Sequence, residues 1–150
     1  MTKTPTIKAS SVWDAKQISA FLDGFVEPLR LAITVDGTPL VVPLWFIYSD
    51  GQFICASQTD AHFTKLARQA TTCGFDASVN EIPYKGVRGQ GRINVSDADG
   101  DEALDKLRHR YLEDPDSSFG RWLSSRQVPE SAIIIEPDWI TSWDFTDRMG

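Results

Sequence analysis

The stretch Thr38–Ala70, TPLVVPLWFIYSDGQFICASQTDAHFTKLARQA, lays out a complete unit: strand, tight turn, strand, polar loop, helix. Leu40–Tyr48 is an apolar run of Val, Ile and aromatic residues, the composition of a strand covered on both faces. Ser49-Asp50-Gly51 interrupts it with hairpin-turn chemistry, and Gln52–Ser57 returns as a second strand. Gln58-Thr59-Asp60 is short and polar and can cap a helix over Asp60–Ala70. In that helix Phe63, Leu66, Ala67 and Ala70 form one apolar stripe. The loop and helix start gather free backbone N–H groups at a positive dipole end, which makes this the chain's best anion site.

The flanking segments extend the pattern. Ser11 can cap a first helix, with Asp14 at N3 and Ile18, Phe21, Leu22 and Phe25 as its buried face. Arg30–Asp36 alternates like a half-buried strand, and Asp36-Gly37 turns it into Leu40–Tyr48, so three strands read as a meander. Pro43 stands in mid-strand and calls for an edge, a bulge or an N–H position that faces no strand. Thr71–Val79 and Val87–Val95 read as further strands. In the latter, Arg88, Gln90, Arg92 and Asn94 share one face, while Gly89 and Gly91 suit sharp bending. Asp99 and Glu102 open a helix with Leu104, Leu107 and Tyr111 on its face. A short helix carries the stripe Phe119, Trp122 and Leu123. Ala132–Ile135 and Trp139–Phe145 read as two strands bridged by Glu136-Pro137-Asp138.

About seven strands joined mainly by hairpins exclude a doubly wound parallel sheet. The reading is a mainly β fold with flanking α: a split antiparallel β-barrel, Greek-key-like, with helices packed around it. One domain spans 1–150, with 1–9 expected as a flexible tail. Length and a 41% apolar content suffice for a core without disulfides. No apolar run approaches the ~20 residues of a membrane span, and the N-terminus shows no apolar leader. Cys55 and Cys73 read as buried thiols in a reducing, cytoplasmic setting, with a disulfide left open should their strands be neighbours. A net charge of −6 argues against nucleic-acid binding, so local cations and N–H groups must hold any phosphate.

No hydrolase or metal motif is present. GRWLSS lacks nucleophile-elbow spacing, His62 and His109 lie far apart, and RGQGRI does not open a helix. The live candidates are Ser57, Gln58 and Thr59 with His62 and Lys65, one helical turn apart, set against the alternative of an ordinary solvated helix face. Trp45, Trp139 and Trp143 can line an aromatic pocket, against the alternative of core or subunit interface. Arg88 and Arg92 can meet a phosphate, a substrate or a partner, against a solvated strand face.

The segments DGTPLVVPLWFIYSDGQFICASQTDAHFTKLARQATTCGFDAS (Asp36–Ser78), GVRGQGRINV and IIIEPDWITSWDF together resemble the pyridoxamine-phosphate-oxidase-like FMN-binding split β-barrel proteins. The resemblance covers Leu29–Val95 and Ile133–Phe145. It implies a homodimer with two cofactor sites at the subunit interface, FMN as cofactor, and oxidoreductase chemistry on a small-molecule substrate. Deazaflavin or haem are the alternatives, with His62 or His109 as the haem ligand; a non-catalytic flavin-binding module is another. By resemblance the ring lies against Val42, Pro43, Leu44 and Trp45. Ser57, Gln58, Thr59 and the helix start hold the phosphate, and Arg88 and Trp143 complete the set, Trp143 from the partner. His62 stands where these proteins place a Lys, with Lys65 one turn on. The chain lacks the Arg-rich C-terminal segment of true pyridoxamine phosphate oxidases, so the resemblance implies a relative of that enzyme.

Overall fold

A computed structural model describes residues 4–150. The elements run β1 (Thr6–Ile7), α1 (Ala15–Gly24), β2 (Leu29–Val35), β3 (Thr38–Leu44), β4 (Ile47–Ser49), β5 (Gln52–Gln58), α2 (His62–Ala67), β6 (Thr72–Ser78), β7 (Lys85–Ser96), α3 (Gly100–Tyr111), α4 (Ser118–Ser125), β8 (Glu130–Asp144) and α5 (Thr146–Met149). The strands form one sheet in the order β3-β2-β6-β7-β8-β5-β4, antiparallel throughout, with β1 added in parallel to β8. The fold is therefore mainly antiparallel β with flanking helices, as expected.

Both Asp-Gly hairpins form. Asp36 and Asp50 sit at φ 53° and the glycines after them at 77° and 76°, the left-handed pair that tight hairpins require. The meander does not form. The Leu40–Tyr48 run breaks at Trp45-Phe46 into β3 and β4, which lie at opposite ends of the sheet path. Leu44 and Ile47 are three residues apart, a span of at most ~11 Å. The sheet must therefore curl until its two ends nearly meet. They do not hydrogen-bond to each other, so the barrel is split. Pro43 lies on the edge strand β3 opposite Arg30, where its missing N–H costs no ladder bond.

Three other expectations change. The tail is partly structured: Thr6–Ile7 pairs with Trp139–Ile140, while residues 1–3 lie outside the described residues. Asp14, not Ser11, caps α1, through a reciprocal capping box with Gln17; Ser11 bonds Ser142 Oγ instead. The two C-terminal strands are one, β8, whose pairing with β7 shifts register at Gln90/Gly91. Gly91 permits that irregularity, since a Cβ there would lie 2.2 Å from the Glu136 carbonyl oxygen. On β7, Arg88, Gln90, Arg92 and Asn94 face outward as expected.

The core fills the curled sheet. Leu29, Leu31, Ile33, Phe53, Cys55, Phe75, Val87, Ile133, Ile135 and Ile140 are buried, and α1 closes one mouth with Ile18, Leu22 and Phe25. Phe46, wholly buried, packs edge-on against Phe53. Cys55 and Cys73 are free and buried. Burial drives both thiols up, Cys73 to about 12, so they act as small core residues.

Candidate functional site

The Trp45-Phe46 crossover is fixed by the last turn of α3. Tyr111 Oη accepts from the Phe46 amide at 3.1 Å and donates to the Glu27 carbonyl at 3.0 Å. Its ring stacks on Trp45, with centroids 4.9 Å apart and planes 2° from parallel. Burial raises the Tyr111 phenol, which keeps the hydroxyl protonated as donor. Arg110 beside it donates to Leu22, Asp23 and Phe25 carbonyls, so it caps the C-terminal end of α1. Arg110 therefore serves a different helix from its own.

This clamp sets one wall of a cleft of about 350 Å³. Pro43, Leu44 and Trp45 line one side, and Ala56, Ser57, Gln58 and Ala61 from β5 and its loop line the next. Leu104 and Leu107 of α3, with Phe119 and Leu123 of α4, supply the apolar wall opposite, and Arg126 and Glu130 close one end. Arg108, buried, ties the two helices together by donating to the Gly120 and Pro115 carbonyls at 3.0 and 2.6 Å. Gly100 brings α3 onto the start of β8 so closely that a Cβ there would lie 1.8 Å from the Glu130 carbonyl. Glu130 pairs with Arg126, and burial raises its carboxyl despite that cation, with Asp101 adding to the rise.

The expected site residues thus fall into groups. Pro43, Leu44, Trp45, Ser57 and Gln58 meet in this cleft. Val42 lies next to them on β3, half-buried and turned onto the core. Thr59 points to the sheet: its amide donates to Pro129, and its hydroxyl is 3.0 Å from Ser131 Oγ. Ser131 in turn donates to Asp97, so the Thr59 proton is directed at Ser131. His62 and Lys65 are exposed on α2, which begins at Ala61 with no side-chain cap. Asp60, Thr59 and Gln58 do not cap it; the Gln58 carbonyl instead accepts from the buried Thr64 hydroxyl at 2.6 Å.

Arg88 and Trp143 meet each other, cation over ring at 5.3 Å, on adjacent strands. They lie roughly 40 Å of strand contour from Ser57, which pairs with Ser131 at the other end of β8. Trp139 has Lys8 over its ring. His109 is exposed on α3 with Nδ1 at 2.8 Å from the Asp105 carbonyl. Arg92 pairs with Glu136 at 3.0 Å.

Six cleft residues escaped the sequence reading as site members: Leu104, Leu107, Phe119, Leu123, Arg126 and Glu130. The first four were visible as helix faces. Phe119 and Trp122, however, are 50% and 54% exposed, so α4 buries only Gly120 and Leu123 and leaves its aromatic stripe outside the core. A charged residue heading an apolar strand, Glu130 before Ala132–Ile135, was the available signal for the last.

No protein-family profile matches the sequence, and no curated protein does either. Solved structures do match. The conserved hypothetical protein Rv2991 from Mycobacterium tuberculosis superposes with a TM-score of 0.72 at 20% identity, over 95% of this chain and 90% of that one. A structure titled F420 reductase matches at TM-score 0.64 and 19% identity, over 87% and 98% of the two chains. The FAD binding protein from Mycobacterium smegmatis matches at TM-score 0.60 and 15% identity, over 89% and 98%. At these identities the likeness establishes a shared architecture, and the chain has the split-barrel fold of pyridoxamine 5'-phosphate oxidase-like structures.

Proposed function

We propose that this chain is a flavin-binding oxidoreductase-type protein with FMN as its cofactor, working on a small organic substrate as a homodimer with two sites at the subunit seam. One observation carries the reading. Pro43–Trp45 and Ser57–Gln58, far enough apart in sequence to belong to different strands, line a single cleft. The fold likeness to structures named for FAD and F420 supports a flavin-type cofactor.

The residues fit such a group. The outer side of β3 is open, with Val41 61% exposed beside the N–H-less Pro43, so a planar ring can approach the backbone without breaking a ladder. Trp45, held by Tyr111, limits where that ring can extend. Ser57 and Gln58 offer polar groups, and His62 and Lys65 supply the nearby cations. Arg88 and Trp143 lie too far along the β7–β8 ladder to join the same cleft within one chain; in a dimer they would come from the partner. FMN, when bound, supplies hydride or electron transfer. The chain's own part is to orient the ring, exclude water from the Trp45 side, and hold the phosphate.

Dialysis against excess FMN followed by absorbance should leave close to one flavin per chain. His62→Lys should tighten binding and Lys65→Ala should weaken it, each by less than about tenfold, because both positions are exposed. Protein that emerges colourless removes FMN. The likeness to the F420 reductase structure keeps deazaflavin as the second reading, and the same titration with a deazaflavin decides between them.

A further inference from the structure

An anionic tail that enters the cleft needs a cation inside it. His62 and Lys65 are exposed on α2, and neither lines the cleft. Among the described residues that do, Arg126 is the one cation. It sits at the end where Gln58 pairs with Glu130 across β5 and β8, with Ser57 next along β5. A guanidinium, an amide and a hydroxyl, all donors, therefore gather there, while Leu104, Phe119 and Leu123 keep the wall apolar.

Arg126 has donors to spare. Its Nη2 donates to Glu130 Oε1, and its Nε donates to the Leu123 carbonyl at 3.4 Å. A guanidinium has more N–H groups than these two contacts use. Among the described residues Arg110 Nε is the one buried polar side-chain atom without a partner, so the spare groups of Arg126 are open to solvent. The Arg126 side chain is 23% exposed and that of Glu130 only 4%, so a ligand in the cleft meets the cation before its counter-ion. The guanidinium also lies over the Trp122 ring at 5.3 Å, which restrains its swing.

We propose that Arg126 is the residue that holds the anionic group of the cleft's ligand, with Glu130 as a built-in competitor for the same guanidinium. For a flavin that group is the phosphate, with Ser57 and Gln58 as neutral donors beside it. A planar guanidinium can grip two phosphate oxygens at once, which an exposed ammonium such as Lys65 does not match. Glu130 neutralises Arg126 in the empty cleft and offsets part of its pull on a bound anion. The assignment to a cofactor phosphate rests on the flavin reading; the anion-holding role of Arg126 does not.

Equilibrium titration of the full chain with FMN and with riboflavin, which has the ring but no phosphate, tests this. FMN should bind at least about tenfold tighter than riboflavin. Arg126→Gln should remove most of that advantage and leave riboflavin binding unchanged, a larger effect than Lys65→Ala. Glu130→Gln should tighten FMN binding and leave riboflavin alone. Should Arg126→Gln unfold the chain by leaving Glu130 unpaired, Arg126→Gln combined with Glu130→Gln removes both charges together and should lose the FMN advantage as well. Equal affinity for the two flavins, an equal loss of both on Arg126→Gln, or weaker FMN binding on Glu130→Gln overturns the proposal. If neither flavin binds, the cofactor reading fails, and calorimetry with inorganic phosphate decides the rest. Phosphate binding that Arg126→Gln abolishes keeps the anion site; no binding, or binding that survives the change, removes it.

Discussion

The Tyr111 phenol accepts from one buried amide and donates to one carbonyl, and its ring carries Trp45. Tyr111→Phe keeps the stack and strands the Phe46 N–H in a fully buried setting. The loss should be about 1–3 kcal/mol, measured by denaturant unfolding. Asp97 offers a pH-dependent counterpart. The hydrogen bonds from Arg68 and Ser131 hold its carboxyl below the ordinary range. A carboxyl lowered on folding stabilises the fold above its unfolded pKa, and that contribution fades as pH falls through the lowered value. Asp97→Asn should therefore cost stability near about pH 7 and progressively less on acidification toward about pH 3, read from unfolding midpoints. An equal penalty at both values would mean that the charge is not what matters. Neither role was legible beforehand. Tyr111 was placed on a helix face, but its partners lie 65 and 84 residues away, and local periodicity holds no information about them.

Among the elements, hairpins, helix faces and the alternation of β7 were readable because their determinants are local: Asp-Gly pairs, apolar spacing, period-two patterning. The continuous run Leu40–Tyr48 misled because composition does not reveal a change of sheet edge. Both halves are equally apolar, and only the curl of the whole sheet assigns them to opposite ends. β8 misled in the reverse sense: Glu136-Pro137-Asp138 looks like a turn, yet the strand runs through it with a register irregularity. Gly91 is the residue that tolerates this. Gly91→Ala would drive a methyl group into the Glu136 carbonyl and Pro137 Cα, both backbone, which cannot swing aside. It should destabilise by about 1–3 kcal/mol or more, seen as a lowered thermal midpoint. A neutral outcome would mean that the β7–β8 ladder shifts freely there.

For the whole molecule, the candidate site was half legible. The Pro43–Trp45 and Ser57–Gln58 segments carry their own signals. The helix wall that faces them comes from α3 and α4, whose docking depends on the buried Arg108 and on close glycine contacts. The proposed homodimer belongs to this scale. Phe119, Trp122, Val41, Ile82 and Tyr84 are apolar and exposed, and a partner subunit would have such surface to cover. Sedimentation should give twice the chain mass of 16.7 kDa. A monomer at micromolar concentration would leave Arg88 and Trp143 unable to reach the cleft.

The two-residue link between β3 and β4 also has a bearing on engineering. Every strand ladder is complete without it, so its length is one of the features that limit how widely the sheet gapes. A short flexible insertion between Trp45 and Phe46 would add little chain-closure penalty, since doubling such a loop costs only about 0.6 kcal/mol. It would nonetheless slacken the hoop at the very point where the aromatic stack sits, making that junction a dial for the width of the opening beside it.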